Sequence, residues 1–218
     1  MKYSLEQIKA EIESKQLYRP KSKIENLNKG VGIFEEIAKL LEPNFKSKQV
    51  KEIIEFILQW SFCSGNVINF KKGFLIKGNT GRGKTFLFKA WIYFLKQYEI
   101  RFQHNGVNYL LSPQIHHAKK IAGEYQSPSG GYSIIEKYSK LNCLCIDDIG
   151  TEPENSGNYG NKINVIVEII NNREEAGLLT FGTSNVADLT KIYDDRTISR
   201  MSKLFNIKTL NHNIDFRK

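Results

Sequence analysis

The chain has 218 residues, of which 40% are apolar and 25% charged, with a formal net charge of +9. This composition excludes disordered and collagen-like chains and suits one α/β domain with a short extension, or at most two small domains. The excess of Lys and Arg favours a polyanionic partner, nucleic acid foremost. A genome that uses Lys, Asn and Ile heavily would give the same balance with no such partner.

Cys63, Cys143 and Cys145 include no C-x-x-C pair, and an odd count makes a poor disulfide framework, so a reduced compartment is expected. No apolar run approaches the roughly 18 residues of a membrane span. The opening MKYSLEQIKAEIESK lacks the apolar core of a signal peptide. A cytoplasmic location is the expectation.

In chain order, residues 4–17 read as a helix, with Ser4 and Gln7 as a capping box and Leu5, Ile8 and Ile12 at helical spacing. This front end is either a partner-binding arm or an ordinary packed helix. Tyr18 to Gly32 is polar and basic and reads as a linker. A stronger helix starts near Ser47 and carries the apolar face Val50, Ile53, Ile54, Ile57, Leu58 and Trp60. Phe74–Leu75–Ile76 reads as a buried strand, followed by a glycine-rich loop and a helix over 85–98. Tyr109–Leu110–Leu111 reads as a second strand. Ser112–Pro113 then reads as a helix start. Residues 127–131 break the chain, and a short helix over 132–140 precedes the strand Leu144–Asp147. Residues 152–161 read as a loop and Lys162–Ala176 as a helix ended by Gly177. Leu178–Thr183 is a further strand, 186–193 and 196–204 read as helices, and 205–210 as a final strand. Strands alternating with helices predict an α/β fold, a mostly parallel sheet covered on both faces.

The most specific signal is Gly78–Asn79–Thr80–Gly81–Arg82–Gly83–Lys84–Thr85, a complete phosphate loop in strand–loop–helix context. Its glycines let successive N–H groups face phosphate oxygens, and the following helix presents its positive end to the same anion. Lys84 adds a charge that reaches the β- and γ-phosphates, and Thr85 offers an oxygen to magnesium. Arg82 occupies a variable position and reads as solvent-facing. ATP and Mg²⁺ are the expected ligands. In Leu144–Cys145–Ile146–Asp147–Asp148, an apolar strand ends in two acids. Asp147 would orient magnesium and Asp148 would polarise the attacking water, with Glu152 a reserve candidate because Asp reaches less far. Thr183–Ser184–Asn185 puts polar side chains at the end of the next strand, where Asn185 could touch the γ-phosphate. Arg196 and Arg200, in Asp195–Arg196–Thr197–Ile198–Ser199–Arg200, could stabilise phosphoryl transfer from a neighbouring subunit or make surface salt bridges.

The order GNTGRGKT, LCIDDIG, TFGTSN, DDRTISRM resembles the AAA+ ATPases of the DnaC-type helicase loaders and the related IstB transposition helpers, over roughly residues 45–217. The resemblance implies a P-loop αβα sandwich with a five-stranded sheet, a short helical N-terminal extension over 1–45, an ATPase domain over 46–218, and little or no C-terminal lid. It makes Thr183–Ser184–Asn185 the sensor 1 motif, Arg196 the arginine finger and Arg217 the sensor 2 residue, although His212–Asn213 stands where the family has a glycine. Residues 112–140 fall where this clade carries a helical insertion that approaches single-stranded DNA. Lys119, Lys120 and Lys137, interleaved with Tyr125, Tyr132 and Tyr138, suit a single strand, while buried tyrosines of a packed helix pair give the same pattern. The implied function is an ATP-dependent helicase loader with a hexameric replicative helicase and single-stranded DNA as partners and self-association through the ATP site. The alternatives are an IstB-like transposition helper and a P-loop small-molecule kinase.

Overall fold

The computed structural model describes residues 4, 6, 27–64, 69–158 and 160–210. The expected helix over 4–17 and Arg217 lie outside the described residues. Among the described residues the order of the main elements is α1 (Leu27–Leu41), α2 (Lys51–Ser61), β1 (Gly73–Lys77), α3 (Lys84–Gln97), β2 (Arg101–His104), β3 (Val107–Leu110), β4 (Gln114–His117), α4 (Ala118–Gln126), α5 (Tyr132–Ser139), β5 (Cys143–Asp147), β6 (Ser156–Asn158), β7 (Asn161–Ile163), α6 (Val165–Glu175), β8 (Leu179–Ser184), α7 (Asp195–Leu204) and β9 (Phe205–Thr209). Five strands form one sheet in the order β4-β5-β8-β1-β9, and every pairing is parallel.

Side chains alternate across each strand, so each strand feeds both faces of the sheet. Phe74 and Ile76 of β1 join Phe34, Ile54, Trp60, Trp91 and Phe181 in a core under α1, α2 and α3. Leu75, between them, joins Leu144, Ile146, Ile121, Ile166 and Ile169 in a second core under α4, α5, α6 and α7. The first core is strongly aromatic: Trp91 and Phe181 lie 4.8 Å apart and Trp60 and Phe181 5.0 Å apart, edge to face. Both buried indoles find acceptors, Trp60 at the Lys72 carbonyl (2.6 Å) and Trp91 at Ser61 Oγ (2.9 Å). No described helix is long and apolar enough to cross a membrane.

Four local expectations are corrected. The stretch read as a linker up to Gly32 is helical from Leu27, because Phe34 and Ala38 bury completely in the first core. The strand at 109–111 belongs to a separate hairpin, β2–β3, and the expected helix start at Ser112 is instead the approach to edge strand β4. The residue before a proline favours extended backbone, and the parallel ladder with β5 then outweighs the local helix signal. The loop over 152–161 contains β6, which pairs with β7, and α6 starts only at Val165. Asn164 caps it, accepting from the Ile166 and Val167 N–H groups. The helix expected over 186–193 shrinks to one 3₁₀ turn, Leu189–Lys191, capped by Asp188.

Arg173 of α6 is fully buried and staples the sheet end opposite the phosphate loop. It donates to Thr180 Oγ1 and to the carbonyls of Tyr138, Leu141 and Leu179 at 2.7–2.9 Å. Burial pulls its pKa down to about 9, so it stays charged at neutral pH. Arg173→Ala should lower the unfolding free energy by about 3 kcal/mol or more, because it strands several buried acceptors at once. Urea titration of the variant against wild type checks this.

Candidate nucleotide site

The four loops that follow β1, β4, β5 and β8 leave the sheet at the same carboxyl edge, where open parallel sheets bind ligands. The first of them is Gly78–Thr85. Gly81 (φ +83°) and Gly83 (φ +80°) take left-handed backbone that glycine tolerates without cost. Gly83 precedes α3 and makes no side-chain cap bond to the start of that helix. Gly81, Arg82, Gly83, Lys84, Thr85, Phe86, Asp148 and Asn185 line a cavity of about 220 Å³.

Lys84 is 4% exposed. Its ammonium donates to the carbonyls of Gly78 (2.7 Å) and Asn79 (3.0 Å) and to Asn185 Oδ1 (2.5 Å). The amide of Asn185 in turn donates to Asp148 Oδ1 at 2.5 Å. Asn185 therefore joins the cation of the phosphate loop to the second acid of β5. Thr85 Oγ1 lies 2.9 and 3.0 Å from the two carboxylate oxygens of Asp147. Thr183 Oγ1 donates to Asp147 Oδ1 (2.6 Å) and accepts the Asp148 N–H (2.9 Å). Asp148 has φ +61°, unusual for a residue with a side chain. Ser184 serves the backbone, donating to the Ile149 carbonyl at 2.7 Å.

An uncapped helix start, a buried ammonium and a hydroxyl–carboxylate pair form a donor set that fits a triphosphate with a hard divalent cation. Thr85 and Asp147 are the groups that could hold the cation.

Arg82 is not simply solvent-facing: it lines the cavity and donates to the Leu210 carbonyl at 3.2 Å. Glu152 is occupied elsewhere. It accepts the Gly150 N–H at 2.8 Å and the hydroxyl of the buried Tyr193, and Asn164 approaches it at 3.5 Å. Burial, and then the Glu152 charge, push the Tyr193 pKa far up, so this phenol remains a donor.

Arg196 starts α7, is exposed, and makes no hydrogen bond or salt bridge among the described residues; it does not line the cavity. Arg200 is tied to Glu174 (3.3 Å), Glu175 (2.9 Å) and the Asn171 carbonyl, the salt-bridge alternative for this residue. Lys119 and Lys120 are exposed on the first turn of α4. Lys137 is paired with Glu124 at 3.1 Å and lies over the Tyr138 ring. Tyr125 and Tyr138 are buried in the second core, so of the three tyrosines only Tyr132 is exposed.

Sequence reasoning missed His117. Its Nδ1 lies 3.1 Å from Asp147 Oδ2, at the rim of the cation position. With 112–126 read as helix, no strand end was available to bring a histidine there.

The five-stranded parallel sheet with helices on both faces matches the P-loop AAA+ fold. Among solved structures the chain is similar to a protein from Streptococcus pyogenes serotype M3 named as a primosome component (20% identity, TM-score 0.56, covering 78% of this chain and 85% of that one). It is also similar to DnaI (20%, TM-score 0.56, 84% and 93%). The DnaC helicase loader aligns at 16% identity and TM-score 0.55, over 78% and 96%. At these identities the likeness shows the fold. No protein-family model and no curated sequence matches the chain.

Tyr193→Phe should lower stability by about 1.5–3 kcal/mol, since it removes a hydrogen bond to a charged, part-buried carboxylate. Chemical denaturation reads this directly; an unchanged midpoint would mean that Glu152 holds its loop without the phenol.

Proposed function

We propose that this chain binds and hydrolyses ATP and uses that cycle to deliver a hexameric replicative helicase to single-stranded DNA. The observation that supports this is that Lys84, Thr85, Asp148 and Asn185 line one cavity at a helix start without a side-chain cap, with Asp147 hydrogen-bonded to Thr85 behind them. In this reading the Gly78–Thr85 backbone and the start of α3 cradle the triphosphate. Lys84 exchanges its carbonyl contacts for β- and γ-phosphate oxygens. Mg²⁺, held by Thr85 and Asp147, supplies charge neutralisation at the phosphates when bound. Asp148 accepts a proton from the attacking water, whose oxygen bonds to the γ-phosphorus while the bond to the bridging oxygen breaks. The products are ADP and inorganic phosphate. Asn185, already bonded to both Lys84 and Asp148, orients the water. The short list of acids within reach favours Asp148 over Glu152, whose carboxylate is engaged by Gly150 and Tyr193.

The likeness to DnaI and to the DnaC helicase loader supports the replication reading over a transposition role. Lys119 and Lys120, exposed and without an ion pair among the described residues, suit a DNA backbone, and Lys137 contributes less because Glu124 neutralises it. Arg196, exposed and outside the lining of its own cavity, acts on the nucleotide of a neighbouring subunit.

Two experiments test this. Asp148→Asn should bind ATP as wild type does, lose turnover, and capture the host's hexameric helicase in the presence of ATP. Lys84→Ala should lose nucleotide binding and with it ATP-dependent capture. Fluorescent-nucleotide titration, phosphate release and co-purification read the three properties; full turnover by Asp148→Asn would remove Asp148 from its role.

A mixture of Lys84→Ala and Arg196→Ala, each inactive alone, should recover part of the wild-type ATPase rate. Some mixed interfaces pair an intact phosphate loop with an intact arginine, and such arginines are worth roughly 10³–10⁵ in rate. No recovery under conditions where wild type assembles and turns over would make Arg196 a contact within its own subunit.

A further inference from the structure

Edge strand β4 runs parallel to β5 in a register that sets His117 opposite Asp147. The histidine side chain is 57% exposed and the aspartate 1%, so the pair runs from the surface to a buried carboxylate. One ligand atom each from His117, Asp147 and Asp148 falls within 4.8 Å of the others. That spread suits a single ion with ligands at about 2.0–2.3 Å on different sides.

The two oxygens of Asp147 differ in their surroundings. Oδ1 accepts the short bond from Thr183, which anchors it to β8. Oδ2 meets Thr85 Oγ1 at 3.0 Å and His117 Nδ1 at 3.1 Å. Thr85 is the hydroxyl read above as a cation ligand, so His117 Nδ1 and Thr85 Oγ1 approach the same carboxylate oxygen. A buried carboxylate needs hydrogen bonds, but Thr85 and Thr183 already provide them without His117. The imidazole adds a nitrogen donor where the other two groups offer oxygen.

We propose that His117 Nδ1 is a ligand of the same divalent cation as Thr85 and Asp147, and that this nitrogen makes the site favour a first-row transition ion over Mg²⁺. Magnesium is a hard ion that takes oxygen ligands, whereas imidazole suits transition ions. At 3.1 Å apart, Nδ1 and Oδ2 are spaced as adjacent ligands of one ion would be. The proposal rests on the nucleotide-site reading for the identity of the other ligands.

The test uses the full chain loaded with Mn²⁺ and ADP and examined by pulsed electron paramagnetic resonance. A directly bound imidazole gives ¹⁴N coupling, and a bound phosphate gives ³¹P coupling, so the two readings are separated in one sample. Wild type should show ¹⁴N coupling that His117→Ala loses. The Mn²⁺ dissociation constant should rise about tenfold or more in that variant, the scale seen when groups supporting a metal are removed, while Mg²⁺ binding changes less. Absence of ¹⁴N coupling in wild type, or its persistence in His117→Ala, overturns the proposal and leaves His117 a hydrogen-bond partner of Asp147. Phosphorus coupling without nitrogen coupling sinks the histidine and keeps the nucleotide site. Nitrogen coupling without phosphorus coupling does the reverse.

Discussion

Asp147 is a carboxylate with 1% side-chain exposure, and a charge taken that far out of water persists only where hydrogen bonds replace the lost solvation. Those bonds come from Thr85 on α3 and Thr183 on β8, and His117 on β4 stands against the same carboxylate. No two of these are neighbours in sequence. They meet because β4, β5 and β8 lie side by side and because β1, the next strand, launches α3 over their ends. The carboxylate thus makes the strand order, the phosphate loop and the edge strand mutually dependent. Thr183 extends the constraint by accepting the N–H of Asp148, which holds that residue in its left-handed conformation with its side chain towards Asn185.

A second set of bonds carries the site outward. Glu152 joins the turn after β5, through the Gly150 N–H, to Tyr193 just before α7. Glu152 thereby links the turn after Asp148 to the segment just before the helix that carries Arg196. At the other end of the sheet, Arg173 ties α6 to the backbone around β5 and β8. The strands that carry the acids and Asn185 are pinned at both ends, so loop rearrangement at the carboxyl edge need not disturb the cores. Asn185 touches both Lys84 and Asp148, and a phosphate group entering the cavity competes for the Lys84 ammonium.

Much of this was legible in the sequence. The glycines of 78–83 followed by Lys84 and Thr85, the apolar run into Asp147, and the run into Asn185 each announced a strand end carrying chemistry. Local pattern suffices there, since a buried parallel strand is a short apolar run and its exit is a polar break. The apolar pattern starts the next helix at Lys162, whereas Asn164 caps it and residues 161–163 pair with 156–158 as a hairpin, a contact with no local signal. The tyrosines of the insertion illustrate the opposite limit. Spacing makes Tyr125 and Tyr138 equally good as core or as a stacking platform, and only packing against α6 and β5 buried them.

By itself, the sequence determined the α/β class, the phosphate loop with its lysine and threonine, and the two acids and asparagine at the strand ends. These are properties of contiguous residues, set by backbone freedom, periodicity and charge within a few positions. Tertiary structure alone decided that Gln114–His117 is an edge strand rather than a helix, that Glu152 is consumed by Tyr193, that Arg82 turns to Leu210 and that His117 stands against Asp147. Each of those depends on a partner tens of residues away or on a ladder whose energy exceeds local preference. Pairing across such distances leaves no periodic trace in the chain, because the partner's position is fixed by the stacking order of the strands.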